Sequence, residues 1–251
     1  MSTKIYRTLQ AVILFGLGLM VFLKFKANTL YYYINERFFS LVLLGAIGFF
    51  LLAAVTFMSI TKEELDHDHD EHYDHGHNHS SGNVWALVIA AIPLLLGILV
   101  PAKPLDASVI ESRGVSNEAL ISSTGSDSGL ELSTPADQRT ILDWIRSFNY
   151  SADPAEFFGE TADVIGFVYR DPRLEPDQFL VSRLAITCCV ADAFAIGMVV
   201  EWDQAIEMSN NTWVHVRGEV QAIKLNGETI PLIVAESVKE TAEPAQPYLF
   251  P

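Results

Sequence analysis

Hydrophobic and polar positions divide the chain into two differently patterned parts. In the first hundred residues, three long apolar runs carry no charge: Thr8–Leu23, Phe38–Ile60 and Val84–Val100. The 23 residues of Phe38–Ile60 are ample to cross about 30 Å of hydrocarbon. The first run is shorter, but Lys24 and Lys26 can extend toward the interface, and the following Leu30–Ile34 segment, LYYYI, suits an aromatic belt. The third run contains Pro93, which a membrane helix tolerates. The pattern predicts spans over about 6–25, 38–60 and 84–100, within a transmembrane region covering 1–104. A buried helix of a soluble protein is the alternative for each run. No small-x-small cleavage site follows Leu23, so the first run reads as an uncleaved anchor.

Beyond Pro104 the period changes. Residues 105–134 are rich in Ser, Gly and Asp and read as a linker. The stretch STPADQRTILDWIRSFN then predicts a helix with Ser133 or Thr134 as N-cap and Pro135 at its first position. Ile141, Leu142, Trp144, Ile145 and Phe148 would form its one apolar stripe. From Thr161 onward five β-branched or aromatic runs follow: DVIGFVYRD, FLVSRLAITCC, AIGMVVEW, TWVHVRGEVQAI and TIPLIVAESV. Asn226-Gly227 between the last two signals a type I′ hairpin. The expected class is α+β: a three-helix transmembrane region, then a small OB-like β-barrel domain over 135–251 with a flanking N-terminal helix.

Charge sharpens the division. The chain has a formal net charge of -15. Residues 1–100 hold six basic and eight acidic side chains, leaving ten and twenty-three for the remainder. So acidic a domain does not suit the basic stripe that nucleic acid needs, nor an anionic lipid surface. Lys24, Lys26, Arg37, Lys103 and Arg113 would face one side of the membrane, and Lys4, Arg7 and Lys62 the other. That near balance leaves either orientation open.

Two features carry candidate chemistry. Between the second and third runs lies a His/Asp-rich loop, 63–82, with His67, His69, His72, His75, His77 and His79 among Asp66, Asp68, Asp70, Asp74 and Asn78. Imidazole and carboxylate together suit borderline divalent metals, but no fixed spacing recurs, so the loop reads as a collecting arm or as a plain polar connector. The second feature is Cys188-Cys189, the chain's only cysteines. Neighbouring cysteines rarely close a disulfide on each other. Strand parity would put Cys188 in the core with Leu184 and Ile186, and Cys189 beside Arg183 as the accessible thiol. If the strand ends there, both thiols and Asp192 could grip one ion, with His215 the only histidine of the domain. Structural burial and a redox role are the alternatives. Asp163, Asp171, Asp177 and Asp192 are better read as strand-end and turn residues than as a general acid/base pair. No nucleotide-binding, zinc-protease or hydrolase motif is present, and an enzyme is not expected.

The segments FVYRDPRLEPDQFLVSRLAITCCVADAFAIGMVV, TWVHVRGEV and EPAQPYLFP, with RGVS after the third run, closely resemble the YcgQ-like family of bacterial membrane proteins. The resemblance covers almost the whole chain and is densest from about 157 to 251. It implies a small multi-pass subunit of the bacterial cell membrane that works beside a larger multi-span permease, with some members linked to zinc supply. The family's Cys-Cys-x-Ala-Asp motif falls on Cys188, Cys189, Ala191 and Asp192. Phe194 stands where a proline is common. The expected function is therefore a membrane-anchored accessory subunit of a permease complex handling zinc or another divalent metal. The alternative is a structural or assembly subunit with no ligand of its own.

Overall fold

A computed structural model describes residues 3–65, 84–116, 134–225 and 228–251, with the backbone alone at 62–65, 225 and 228. The chain forms two compact units. One comprises residues 1–30 and 36–103, the other residues 31–35 and 104–251.

The first unit is helical, with α1 at Thr3–Lys26, α2 at Phe39–Leu65 and α3 at Val84–Leu99. Small residues let α1 and α2 approach closely. The position of a Cβ on Gly18 lies 3.1 Å from the Ala46 carbonyl oxygen, and Phe15 meets Phe50 edge to face at 5.4 Å. The exterior stays apolar: Leu41, Leu44, Ile47, Leu51 and Val55 of α2 are all exposed. An apolar patch of this size belongs in lipid or against another protein. α1 and α2 are long and apolar enough to cross a membrane. The third expected span does form a helix, but α3 has only 16 residues, about 24 Å at the α-helical rise.

The second unit is a closed β-barrel. Its strands are β1 (Thr161–Tyr169), β2 (Gln178–Ala185), β3 (Phe194–Glu201), β4 (Trp213–Leu225) and β5 (Glu228–Glu240). β1 pairs antiparallel with both β2 and β4, β2 with β3, and β4 with β5, while a parallel β3–β5 pair completes the ring. The order β1-β2-β3-β5-β4 returning to β1 is a Greek-key closure of the OB-like kind. The five expected runs thus each supply a strand, and a short β6 (Tyr248–Leu249) adds parallel to β2. Leu225 pairs with Glu228; Asn226 and Gly227, where the type I′ turn is expected, lie outside the described residues. Closure needs a bulge in β4 at Arg217/Gly218. A Cβ on Gly218 would fall 2.1 Å from the Val234 carbonyl oxygen, so only glycine fits.

Two helices pack on the barrel: α4 (Ser108–Arg113) and α5 (Ile141–Tyr150). α5 carries the predicted stripe, and Ile141, Trp144, Ile145 and Phe148 join Phe179, Val181, Ile196, Met198 and Ile233 in one core. Each such side chain contributes roughly 1.5–3 kcal/mol of burial. The helix starts later than expected. Thr140 is its N-cap, in a capping box with Asp143, whereas Pro135 leads only a single 3-10 turn at Ala136–Gln138. Within the linker stretch, α4 buries Val109 and Ile110, and Val115 bridges Ala195 of β3. Residues 117–133 lie outside the described ones.

Candidate functional site

β2 ends at Ala185, and β3 begins at Phe194. The connection between them carries both thiols and closes with a 3-10 turn at Val190–Asp192. Asp192 organises it. Its Oδ1 accepts from the Thr187 backbone N–H at 3.1 Å, and its Oδ2 from those of Cys188 at 2.8 Å and Cys189 at 3.4 Å. An ionised carboxylate has about four acceptor positions. Three are taken by the backbone, and the Cys188 thiol donates to the same group.

The parity expectation for the thiols fails here. Cys188 is exposed and Cys189 half-buried, because the chain has left the strand and alternation no longer sets the faces. Nor does Arg183 serve the thiols. It is buried, and its guanidinium donates to the carbonyls of Pro247 at 3.0 Å, Gln246 at 2.7 Å and Ile165 at 3.3 Å while stacking on Trp213. The Cys188 thiol is accordingly not poised as a thiolate: hydrogen bonds to Asp192 and Cys189 push its pKa up to about 11. Burial works to raise the Asp192 carboxyl, but the hydrogen bonds from Cys188, Thr187 and Cys189 outweigh it and hold it below the ordinary carboxylate value.

The structure does bring Cys188, Cys189 and Asp192 together, with their ligand atoms within 4.8 Å of one another. Among the described residues this is the only group of three or more such side chains that could hold one ion. The sulfurs are unbonded and 3.7 Å apart. Two thiolates on one tetrahedral zinc, at about 2.3 Å each, stand about 3.8 Å apart. The spacing therefore fits a shared thiophilic ion with little movement. His215 does not join this group. Its Nε2 contacts Asp163 Oδ1 on the neighbouring strand, and Arg217 approaches Asp163 Oδ2 at 3.5 Å. His67, His69, His72, His75, His77 and His79 lie outside the described residues.

Two segments distant in sequence hold the turn from outside. On one flank, Asn35 donates from its backbone N–H to the Cys188 carbonyl and from Nδ2 to the Thr187 carbonyl, both at 3.0 Å. Val190 donates to the Tyr33 carbonyl at 2.9 Å. On the other flank, Arg113 Nη1 donates to the Ala193 carbonyl at 2.8 Å and the Ala191 carbonyl at 3.3 Å. The RGVS segment is thereby tied to the same turn that bears CCVADA. Asn35 stands more than 150 positions from the thiols, so no local pattern could have joined them.

The chain thus carries two helices long and apolar enough to cross a membrane and, after them in sequence, a closed barrel whose β2–β3 turn presents paired thiols. The models of the DUF1980 N-terminal and C-terminal domains match residues 9–116 and 139–251, so the chain belongs to the DUF1980 family. It is similar to the "Putative two-component membrane permease complex subunit" of Streptococcus mutans, with 27% identity over 271 residues, 94% of this chain and 95% of that protein. It is also similar to "UPF0703 protein YcgQ" of Bacillus subtilis, with 23% identity over 194 residues, 65% of this chain and 67% of that protein. The expected YcgQ-like kinship is met.

Proposed function

We propose that this chain is the membrane-anchored accessory subunit of a permease complex, and that its barrel receives a thiophilic divalent cation, zinc first, at Cys188, Cys189 and Asp192. One observation carries the reading: two sulfurs at 3.7 Å and a carboxylate on one exposed turn match the edge length of a tetrahedral thiolate site. Three protein donors leave a fourth position for an incoming or departing ligand, as transfer requires and a closed structural site does not allow. The partner is a larger, multi-span permease subunit, in keeping with the name of the Streptococcus relative. The six-histidine run between α2 and α3 would concentrate the same class of ion.

Chain parity supports a third crossing. The α1–α2 connector contributes Tyr31–Asn35 to the barrel's own unit, so connector and barrel share one side of the membrane. If α1 and α2 both cross, the chain leaves α2 on the opposite side and must return through α3 to reach Pro104. A helix of about 24 Å serves with local thinning, at fractions of a kcal/mol per Å of mismatch. Reporter fusions test this: N- and C-terminal reporters on opposite sides support three crossings, and on the same side refute them.

The cation reading is tested by titrating the purified full chain with Co²⁺. A near-ultraviolet thiolate-to-metal band, lost in Cys188→Ser/Cys189→Ser, is the expected result. A second reading, an assembly subunit whose turn is purely structural, is favoured by the three backbone N–H groups already held by Asp192. It predicts no band in either protein.

A further inference from the structure

We infer that the connector between α1 and α2 is a second half of the thiol site: Tyr31–Asn35 fixes the pitch of the Cys188–Cys189 pair, and cation binding there tightens the connector in return. The inference rests on the reading of the pair as a cation site. Asn35 is only 1% exposed, and two of its donors are spent on the turn. Ile34 forms an antiparallel bridge with Cys189, and Tyr33 accepts from Val190. The backbone around the thiols is thus held from two directions. Asp192 takes the N–H groups of Thr187, Cys188 and Cys189, and the connector takes the carbonyls of Thr187 and Cys188 and the N–H of Val190. With the peptide groups fixed, the two side chains are the parts of the turn left to adjust to an ion, so its geometry is set in advance.

Asn35 is a positioning residue in this account, not a ligand. Groups that orient metal ligands without touching the metal typically govern affinity by about 10–100-fold. Coupling of this kind is reciprocal: if the docked connector favours the ion, the ion favours the docked connector by the same factor. The connector is joined through the chain to α1, which ends at Lys26, and to α2, which begins at Phe39.

The test uses the purified full chain and Co²⁺, read by its thiolate charge-transfer band, in wild type, Asn35→Ala and Asn35→Asp, the last keeping size but losing the donor. Both variants are expected to bind about tenfold more weakly, with an unchanged spectrum at saturation. In the wild type, Co²⁺ is also expected to slow hydrogen exchange across 31–35, and not to do so in Cys188→Ser/Cys189→Ser. Should the Asn35 variants fail to fold, the exchange measurement on wild type decides alone. A wild-type band with undiminished Asn35-variant affinity, or with exchange at 31–35 indifferent to Co²⁺, overturns the coupling and leaves the site standing. No band in wild type removes the site and the coupling with it.

Discussion

Two polar clusters sit on the same barrel and differ in what they leave unspent. At the β2–β3 turn, Cys188, Cys189 and Asp192 come from five consecutive residues, and the carboxylate is occupied by backbone N–H groups while Cys188 is exposed and Cys189 half-buried. On the β1–β4 face, Asp163 lies opposite Arg217 in the strand register and diagonal to His215. Both of its oxygens are engaged by those side chains, so its charge is compensated where it stands. The second cluster is a cross-strand ion network of the kind that adds modestly to a sheet. By residue type, His215 with Asp163 and the cysteine pair with Asp192 are both metal-ligand sets. The bonding already in place separates them, because both Asp163 oxygens are engaged by His215 and Arg217.

Perturbations should separate the two, beginning with the one that spares neither. Trp144 is fully buried in the core shared by α5 and the barrel strands, and Trp144→Ala should cost about 3–5 kcal/mol, seen as a large fall in the unfolding midpoint. Both clusters would loosen together. Asp192→Asn should cost about 1–2 kcal/mol, because an amide cannot accept from all three backbone donors, and should weaken Co²⁺ binding. The pH dependence has a definite sign. The Asp192 carboxyl is held below its ordinary value, so its contribution is present above the unfolded carboxyl pKa and lost as pH falls through the folded one. Wild-type stability should therefore fall more steeply with acidification, from the unfolded carboxyl pKa down through the folded one, than that of Asp192→Asn, whose acid limb should be flatter.

Cation binding follows a different pH logic. The Cys188 thiol, pushed up to about 11, is protonated at neutral pH and must release that proton to bind a metal. Co²⁺ affinity should fall about tenfold per pH unit of acidification for each proton released. The smallest effect is expected at the other cluster. His215 is substantially exposed, and His215→Gln should change stability by about 0.5 kcal/mol or less while leaving Co²⁺ binding untouched. A loss of binding in that variant would erase the distinction between the clusters.

The parts legible in sequence are those whose signal is local. β-branched and aromatic runs marked all five barrel strands, and uninterrupted apolar runs marked α1, α2 and α3. Cys188, Cys189 and Asp192 stood out because one turn supplies them all. Alternation misled at β2, where every residue is buried. The tail around Gln246–Leu249 covers the face that Arg183 occupies, so parity could not sort inside from outside. It also could not say where the strand stopped, and that placed Cys188 in the core wrongly. Asp163 with His215, and Asn35 with Thr187, depend on register and on a contact between distant segments, which no single stretch encodes. Pro135 gave a start signal that the Thr140–Asp143 capping box overrode.

The most direct test is the zinc content of the purified full chain, wild type against Cys188→Ser/Cys189→Ser, both equilibrated with the same buffered zinc. One ion per chain fewer in the double variant, with the barrel still folded, is what a receiving site at the β2–β3 turn requires. Equal zinc in the two proteins would contradict it and leave the turn as a structural joint.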